Sequence, residues 1–365
     1  MNSYHTGKLG LMDGVGLVFW IIIPRLFLST ISNLVQENGQ ILWLAVVIYT
    51  VIPLSVFFMM VYVCKYTNGN IFIVVQKLVG KLGAWLILLT YSVMFLSNSA
   101  LTLRLYAEYT LETALPQVEF QLVIVWYVIT IGVICYLGIE ALARTGYIVF
   151  PFLLSGLVLI LLMLTPFYIG YNLTPWQGYG ITRAVASGMN GAGYNFGVLS
   201  LIFLAPAFQN VQTIRKAAIY ALCGAGVLRI SFSLVYIMVF GVLGSEKTMP
   251  LFELARLVYL NQYIQRIEAL FIVGWVILGL LAAAGGLYVA LYLIAMLLKL
   301  PTLRPIVPLG AMIVGNLAML PPDIGYTLKV DQYLLTVLDI GIYVFPTLLF
   351  SMALWKRRKT GCTSV

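Results

Sequence analysis

The sequence predicts an all-α integral membrane protein of about ten transmembrane helices in a single membrane domain. Three observations lead there. Of its 365 residues 62% are hydrophobic and 9% charged, whereas soluble domains run near one quarter charged. Most nonpolar residues lie in runs of about 18 or more, long enough to cross a hydrocarbon core as helix. Basic residues concentrate in alternate connectors, as in a chain that threads lipid repeatedly. Spanning by helix follows, because lipid offers no hydrogen bonds to an open backbone.

The spans are read as apolar runs between polar punctuation. The first, 11–31, contains Asp13, Pro24 and Arg25 and lacks a small-residue cleavage pattern, so it is a helix and not a signal peptide. The second, 40–63, ends before Lys65, Lys77 and Lys81, and the third, 84–107, before Glu108, Glu112 and Glu119. The fourth, 121–139, and the fifth, 146–170, flank Arg144; Arg183 precedes the sixth, 188–209. Arg215 and Lys216 stand before the seventh, 217–243, and Glu246, Lys247, Glu253, Arg256 and Arg266 before the eighth, 268–298. Lys299 and Arg304 introduce the ninth, 304–320; Asp323, Lys329 and Asp331 introduce the tenth, 332–355.

One set of ends carries thirteen basic residues, from Lys8 through Lys65, Lys77, Lys81, Arg144, Arg215, Lys216, Lys299 and Arg304 to Lys356, Arg357, Arg358 and Lys359. The opposite ends carry five, Arg183, Lys247, Arg256, Arg266 and Lys329, with most of the acids, Glu37 among them. Both termini are therefore expected in the cytoplasm, with 356–365 a basic tail. An even number of spans divides into halves at 1–170 and 171–355 that enter the membrane from opposite sides. That is the geometry of an inverted repeat, whose first helices are often broken at a midplane site.

Several function classes fall away. The net charge of +9 is spread over short connectors and the tail instead of one stripe, so nucleic acid is not expected as a partner; membrane lipid is. Cys64, Cys135, Cys223 and Cys362 stand singly and read as small hydrophobes, not disulfides or ligands. The one histidine, His5, lies in the N-terminal tail. No catalytic pattern appears in a fitting context, so no enzyme activity, cofactor or metal is expected.

Two spans look interrupted. In the first, Pro24 removes a backbone donor and frees carbonyls one turn back. The sixth begins with Gly188, Gly191, Gly193 and Gly197 within ten residues and meets Pro206 further on, a poor continuous helix. Unwound backbone at both places would contact a small polar ligand, with half-helix N-termini attracting a carboxylate. The competing reading is that glycine and proline in membrane helices simply permit close packing.

Ionisable residues inside spans face protein or water and mark sites. They are Asp13, Arg25, Arg104, Glu108, Arg229 and Asp339, with Ser97, Asn98, Ser99 and Thr102 as a polar patch on the third span. Arg104 and Glu108, four apart, either pair on one face or snorkel to the interface. Arg229 lies deeper and is expected to have a buried partner. Gly279, Gly285 and Gly286 on the eighth span read as a packing surface.

Along nearly its full length the chain resembles the B subunits of spore germinant receptors, the GerAB-like endospore germination permeases, which are similar in turn to amino acid, polyamine and organocation permeases. The resemblance rests on the order of several motifs. These are Ile23-Pro24-Arg25; Leu78 to Gly83; Arg104 with Ala107 and Glu108; GIEALARTGYIVFPF from Gly138 to Phe152; Asn172 to Pro175; and Pro321-Pro322-Asp323. It implies a leucine-transporter-like fold of five plus five helices with the first and sixth broken, in the spore inner membrane. It also implies partners, a membrane-attached A subunit and a C-subunit lipoprotein, and a small germinant, commonly an amino acid. By that analogy the ligand lies between the first, third, sixth and eighth spans. The residues implied are Gly16, Leu17, Phe19, Trp20, Ser97, Asn98, Thr102, Gly193, Tyr194, Asn195, Gly197, Ser200 and Gly285.

Two departures bear on that site. Relatives often place small residues ahead of the Pro-Arg pair, where this chain has Leu17, Val18 and Phe19, and a glutamate in the sixth span, where it has Ser200. Either the ligand is small or apolar, or the site is vestigial. Sensor, secondary amino acid transporter and ligand-free scaffold all remain open, because function resides in the site and not in the fold.

Overall fold

Apolar runs can cross lipid only with their backbone groups paired internally, and the chain is built accordingly. The computed structural model describes residues 9–65, 71–258 and 268–359. His5, Lys8, Arg266, Cys362 and the tail beyond Lys359 lie outside the described residues. Helix α1 (Leu11–Ile22) runs into a 3-10 turn, Ile23–Leu26, followed by α2 (Thr30–Asn38), α3 (Leu42–Lys65) and α4 (Ile71–Thr113). Then come α5 (Phe120–Leu137), α6 (Ile139–Met163) and α7 (Ile181–Asn190); a 3-10 stretch, Ala192–Leu199, joins α7 to the short α8 (Ser200–Phe203). The remainder is α9 (Val211–Phe240), α10 (Pro250–Arg256), α11 (Glu268–Leu298), α12 (Val307–Met319) and α13 (Ile324–Lys359).

Among the described residues seven helical stretches are long and apolar enough to cross a membrane. The apolar helix over 304–319 is shorter, and the first and sixth expected spans are divided into pieces. All ten expected segments are thus helical.

The starts of α4, α6 and α13 differ most from the sequence reading, α13 beginning at Ile324, eight residues ahead of the expected 332. Helix α4 begins at Ile71, thirteen residues before the expected start, and turns at Gly80, whose φ of +87° suits glycine. In its first two turns Ile71, Val74, Val75 and Leu78 are buried, the spacing of one helix face. The lysines on the other face disguised this stretch as a connector. Lys356 at the end of α13 donates to the Lys77 and Leu78 carbonyls, 2.6 and 3.1 Å away, and so caps those turns. Helix α6 starts at Ile139, after Gly138 at φ +94°; Glu140 and Arg144, on one exposed face 3.6 Å apart, made its first turns look like a loop.

Helix α11 lies at the centre and packs most extensively on α4. Small residues permit this approach. Ser99 Oγ reaches the Ala283 carbonyl at 2.6 Å and Ser92 Oγ the Ala290 carbonyl at 2.9 Å. The missing Cβ of Gly286 leaves room for Ser99, and that of Gly285 for Ile21. The glycines of the eighth span are therefore a packing surface. Helix α5, by contrast, presents Leu122, Val125, Trp126, Ile129 and Val133 outward, an apolar face that suits lipid.

A first prediction follows from Gly279. A Cβ there would fall within the Tyr106 ring, and Tyr106 is held because its hydroxyl donates to the Pro24 carbonyl at 3.1 Å. Gly279→Ala is expected to cost about 1–3 kcal/mol through overpacking, read as a lower unfolding midpoint of the detergent-solubilised chain. An unchanged midpoint would mean that the two helices are free to separate.

Candidate functional site

The first break is set by Pro24. It sits at the second position of the 3-10 turn, lacks an N–H, and leaves the chain unable to continue α1. The carbonyls around it are nevertheless occupied: Ile22 O accepts from the Arg229 guanidinium and Pro24 O from the Tyr106 hydroxyl. The second break follows from the glycines between α7 and α8. Gly193 N–H donates to Asp339 Oδ1 at 2.5 Å. Asn195 donates through Nδ2 to the Tyr49 carbonyl and accepts through Oδ1 from Arg229, each at 2.7 Å.

Arg229 therefore ties the two breaks to each other. Its guanidinium also faces the Tyr49 ring, 5.5 Å from the centroid. The buried partner expected for this arginine exists and is a pair of oxygens rather than an acid.

Arg25 forms a second junction just beyond the first break. It pairs with Asp331 at the start of the tenth span, donates to Asn98 Oδ1 at 2.9 Å, and lies 6.0 Å from the Tyr194 ring centroid. One guanidinium thus joins the first, third, sixth and tenth spans, with Arg25 only 5% exposed. The chemistry available is a latch, two charges withdrawn from water and held by neighbours on four helices.

The expected ligand set is brought together in part. Asn98, Gly193, Tyr194 and Asn195 gather around Arg25, Arg229 and Asp339. Gly16, Leu17, Phe19 and Trp20 lie on α1 before the break, because unwinding starts only at Ile23. Phe19 and Trp20 pack edge-on against Phe150, at 5.1 and 6.1 Å, Trp20 fills the space beside Gly146 and Gly16, and Leu17 is buried. Gly197 and Gly285 both lie against Ile21, the first with room for nothing larger. Thr102 and Ser200 are buried, and Ser200 Oγ has no hydrogen-bond partner.

Ser97 lines a different space, a crevice of about 460 Å³ that also touches Arg104, Leu317, Tyr326 and Tyr333. Arg104 and Glu108 pair on one face, 2.6 Å from Nε to Oε1. Arg104 also donates to the Ala318 carbonyl at 3.2 Å and covers the Phe120 ring at 4.1 Å.

Tyr49, Tyr106 and Asp331 were not anticipated. Tyrosines in apolar runs carry no pattern of their own. Asp331 had a signal: it stands one residue outside the expected tenth span, and Arg25 within the first lacked an acid.

With this geometry in view, comparison with known proteins decides the family. Residues 8–324 match the family described as spore germination protein. The chain belongs to the spore germination protein family. No curated protein matches it. Among solved structures this spore germination protein is similar to a Na+-coupled sialic acid symporter in a substrate-bound outward-open state. The TM-score is 0.67 at 12% identity, over 93% of this chain and 80% of that one. A mutant of the manganese transporter of Eremococcus coleocola is similar at a TM-score of 0.55 and 11% identity, over 94% and 76% of the two chains. At such identities the likeness shows the fold alone, and that fold is the leucine-transporter type with first and sixth helices broken. The spore germination protein is thus a helical membrane protein of transporter-like architecture.

Proposed function

We propose that this protein is the B subunit of a nutrient germinant receptor in the spore inner membrane, with both termini cytoplasmic, and that it binds a small germinant such as an amino acid. Its halves divide at residues 170 and 171, and its partners are the A and C subunits of the receptor. The observation that carries the reading is the meeting of the two helix breaks, where Gly193, Tyr194 and Asn195 stand beside Asn98 and the first break.

The geometry supports a sensor that works by displacement. Asp339 occupies the Gly193 N–H, the place where a half-helix attracts a carboxylate. A germinant carboxylate takes that N–H and releases Asp339. Helix α13 carries Asp331 of the outer latch, Asp339 at the break, and Lys356 on the Lys77 and Leu78 carbonyls. Release at its middle therefore biases contacts at both of its ends, and the partner subunits read the shift in population. Thr102, Gly197, Ser200 and Gly285 belong to the walls around this seat, Gly16, Leu17, Phe19 and Trp20 back it from α1, and Ser97 faces the neighbouring crevice.

The test uses Gly197, where a Cβ would come 2.5 Å from Ile21. In spores with normal levels of the protein, Gly197→Leu is expected to reduce germination at a fixed germinant dose by about tenfold or more, the factor that 1.4 kcal/mol of lost binding gives. Normal germination would favour a scaffold with no ligand. The second reading, a secondary amino acid transporter, is supported by the similar solved structures being a sialic acid symporter and a manganese transporter. Uptake of labelled amino acids by vesicles containing only this chain would establish it against a pure sensor.

A further inference from the structure

Arg229 is buried on α9 with 3% exposure, and no carboxylate pairs with it among the described residues. An unpaired cation in a membrane interior is costly unless oxygens replace its water. Oxygens from both interruptions do so, the Ile22 carbonyl at the end of α1 and Asn195 Oδ1, with the Tyr49 hydroxyl beside them. The Tyr49 ring supplies a π face. The same tyrosine's carbonyl takes the Asn195 amide N–H, which turns the amide oxygen toward Arg229. The seat is thus a preformed cation site of carbonyl oxygens, already filled by a side chain.

In proteins with discontinuous membrane helices, unwound carbonyls are the groups that hold a coupling ion. We propose that Arg229 is a resident cation in that role, so that this protein closes its two helix breaks around a ligand with no metal ion bound between them. The charge that an ion would bring from solution is covalently attached, and it cannot dissociate. Ligand binding is then independent of sodium, and the seat accepts a free monovalent cation only when the arginine is removed. The inference deepens the reading of the breaks as the ligand seat, but its test uses no germinant, so the two fail separately.

The test is thermal unfolding of the purified full-length chain in detergent at matched ionic strength in sodium, lithium or choline chloride, with and without methylguanidinium. The wild type is expected to unfold at the same midpoint in sodium and choline. Arg229→Ala is expected to unfold lower, and to regain about 2–4 °C in sodium or with methylguanidinium relative to choline. Adding Asn195→Ala, which removes the sixth-span oxygen, should abolish that gain. Arg229→Met, which keeps the apolar stem without the charge, serves if the alanine variant does not fold. Stabilisation of the wild type by sodium over choline would overturn the proposal by revealing a separate ion. So would an Arg229 variant whose midpoint is the same in every salt, since the arginine would then be an anchor and its seat no cation site. The wild-type comparison stands even if neither variant folds.

Discussion

Asp331→Ala is expected to cost about 3–5 kcal/mol of stability, the price of removing one partner from a buried ion pair. Arg25 is 5% exposed and would keep only the Asn98 amide oxygen and the Tyr194 ring, too little to offset the loss of its water. The double replacement Arg25→Met with Asp331→Leu should recover most of that loss, because neither charge then has to be desolvated. Denaturation midpoints of the four proteins form a double-mutant cycle whose coupling term measures the latch directly. The same cycle reports on closure. In a chain with its other cysteines removed, Ser200→Cys places a near-isosteric thiol where burial is complete. A polar maleimide should label it faster once Asp331 is gone, and at the original rate in the double variant if packing alone restores closure. A cost below about 1 kcal/mol for Asp331→Ala, the value of an exposed pair, would mean that the latch is open to water and closes nothing.

The reach of the sequence differs sharply between the lipid-facing frame and the interior. Apolar runs and their punctuation located every segment, because hydrophobic length is a local property that lipid enforces. They misplaced the starts of α4, α6 and α13, because turns bearing Lys77, Glu140 with Arg144, and Lys329 with Asp331 have the composition of a connector. The break in the sixth span was legible as four glycines, and the break in the first as Pro24. What was not legible is the register between them. That Arg229 would meet Ile22 and Asn195, or that Asp331 would cross to Arg25, depends on how helices 34 to 306 residues apart in sequence are rotated against each other. No periodicity records that. The resemblance to germination permeases implied Gly16 to Trp20 as ligand residues, and these lie within α1, ahead of the 3-10 turn that begins at Ile23.

Asn195→Leu should be the most damaging change at the sixth-span break. Leucine has a similar size, so packing is largely kept, but two buried groups lose partners at once: the Tyr49 carbonyl loses a donor, and Arg229 loses the Asn195 oxygen. Each orphaned group costs about 1–3 kcal/mol, more when charged, so a loss of about 3 kcal/mol or more is expected. Asn195→Asp separates the two contributions. It keeps an oxygen for Arg229 and gives that cation a counter-charge, while placing a second acceptor against the Tyr49 carbonyl. Because the arginine is the charged group and the deeper liability, the aspartate variant should unfold at a higher midpoint than the leucine variant. It should also keep some germination where the leucine variant has none. The reverse order would show that the amide serves mainly to hold the Tyr49 backbone on α3, and that Arg229 is satisfied by Ile22 and the Tyr49 side chain. The link between the two breaks would then run through α3 instead of through the guanidinium.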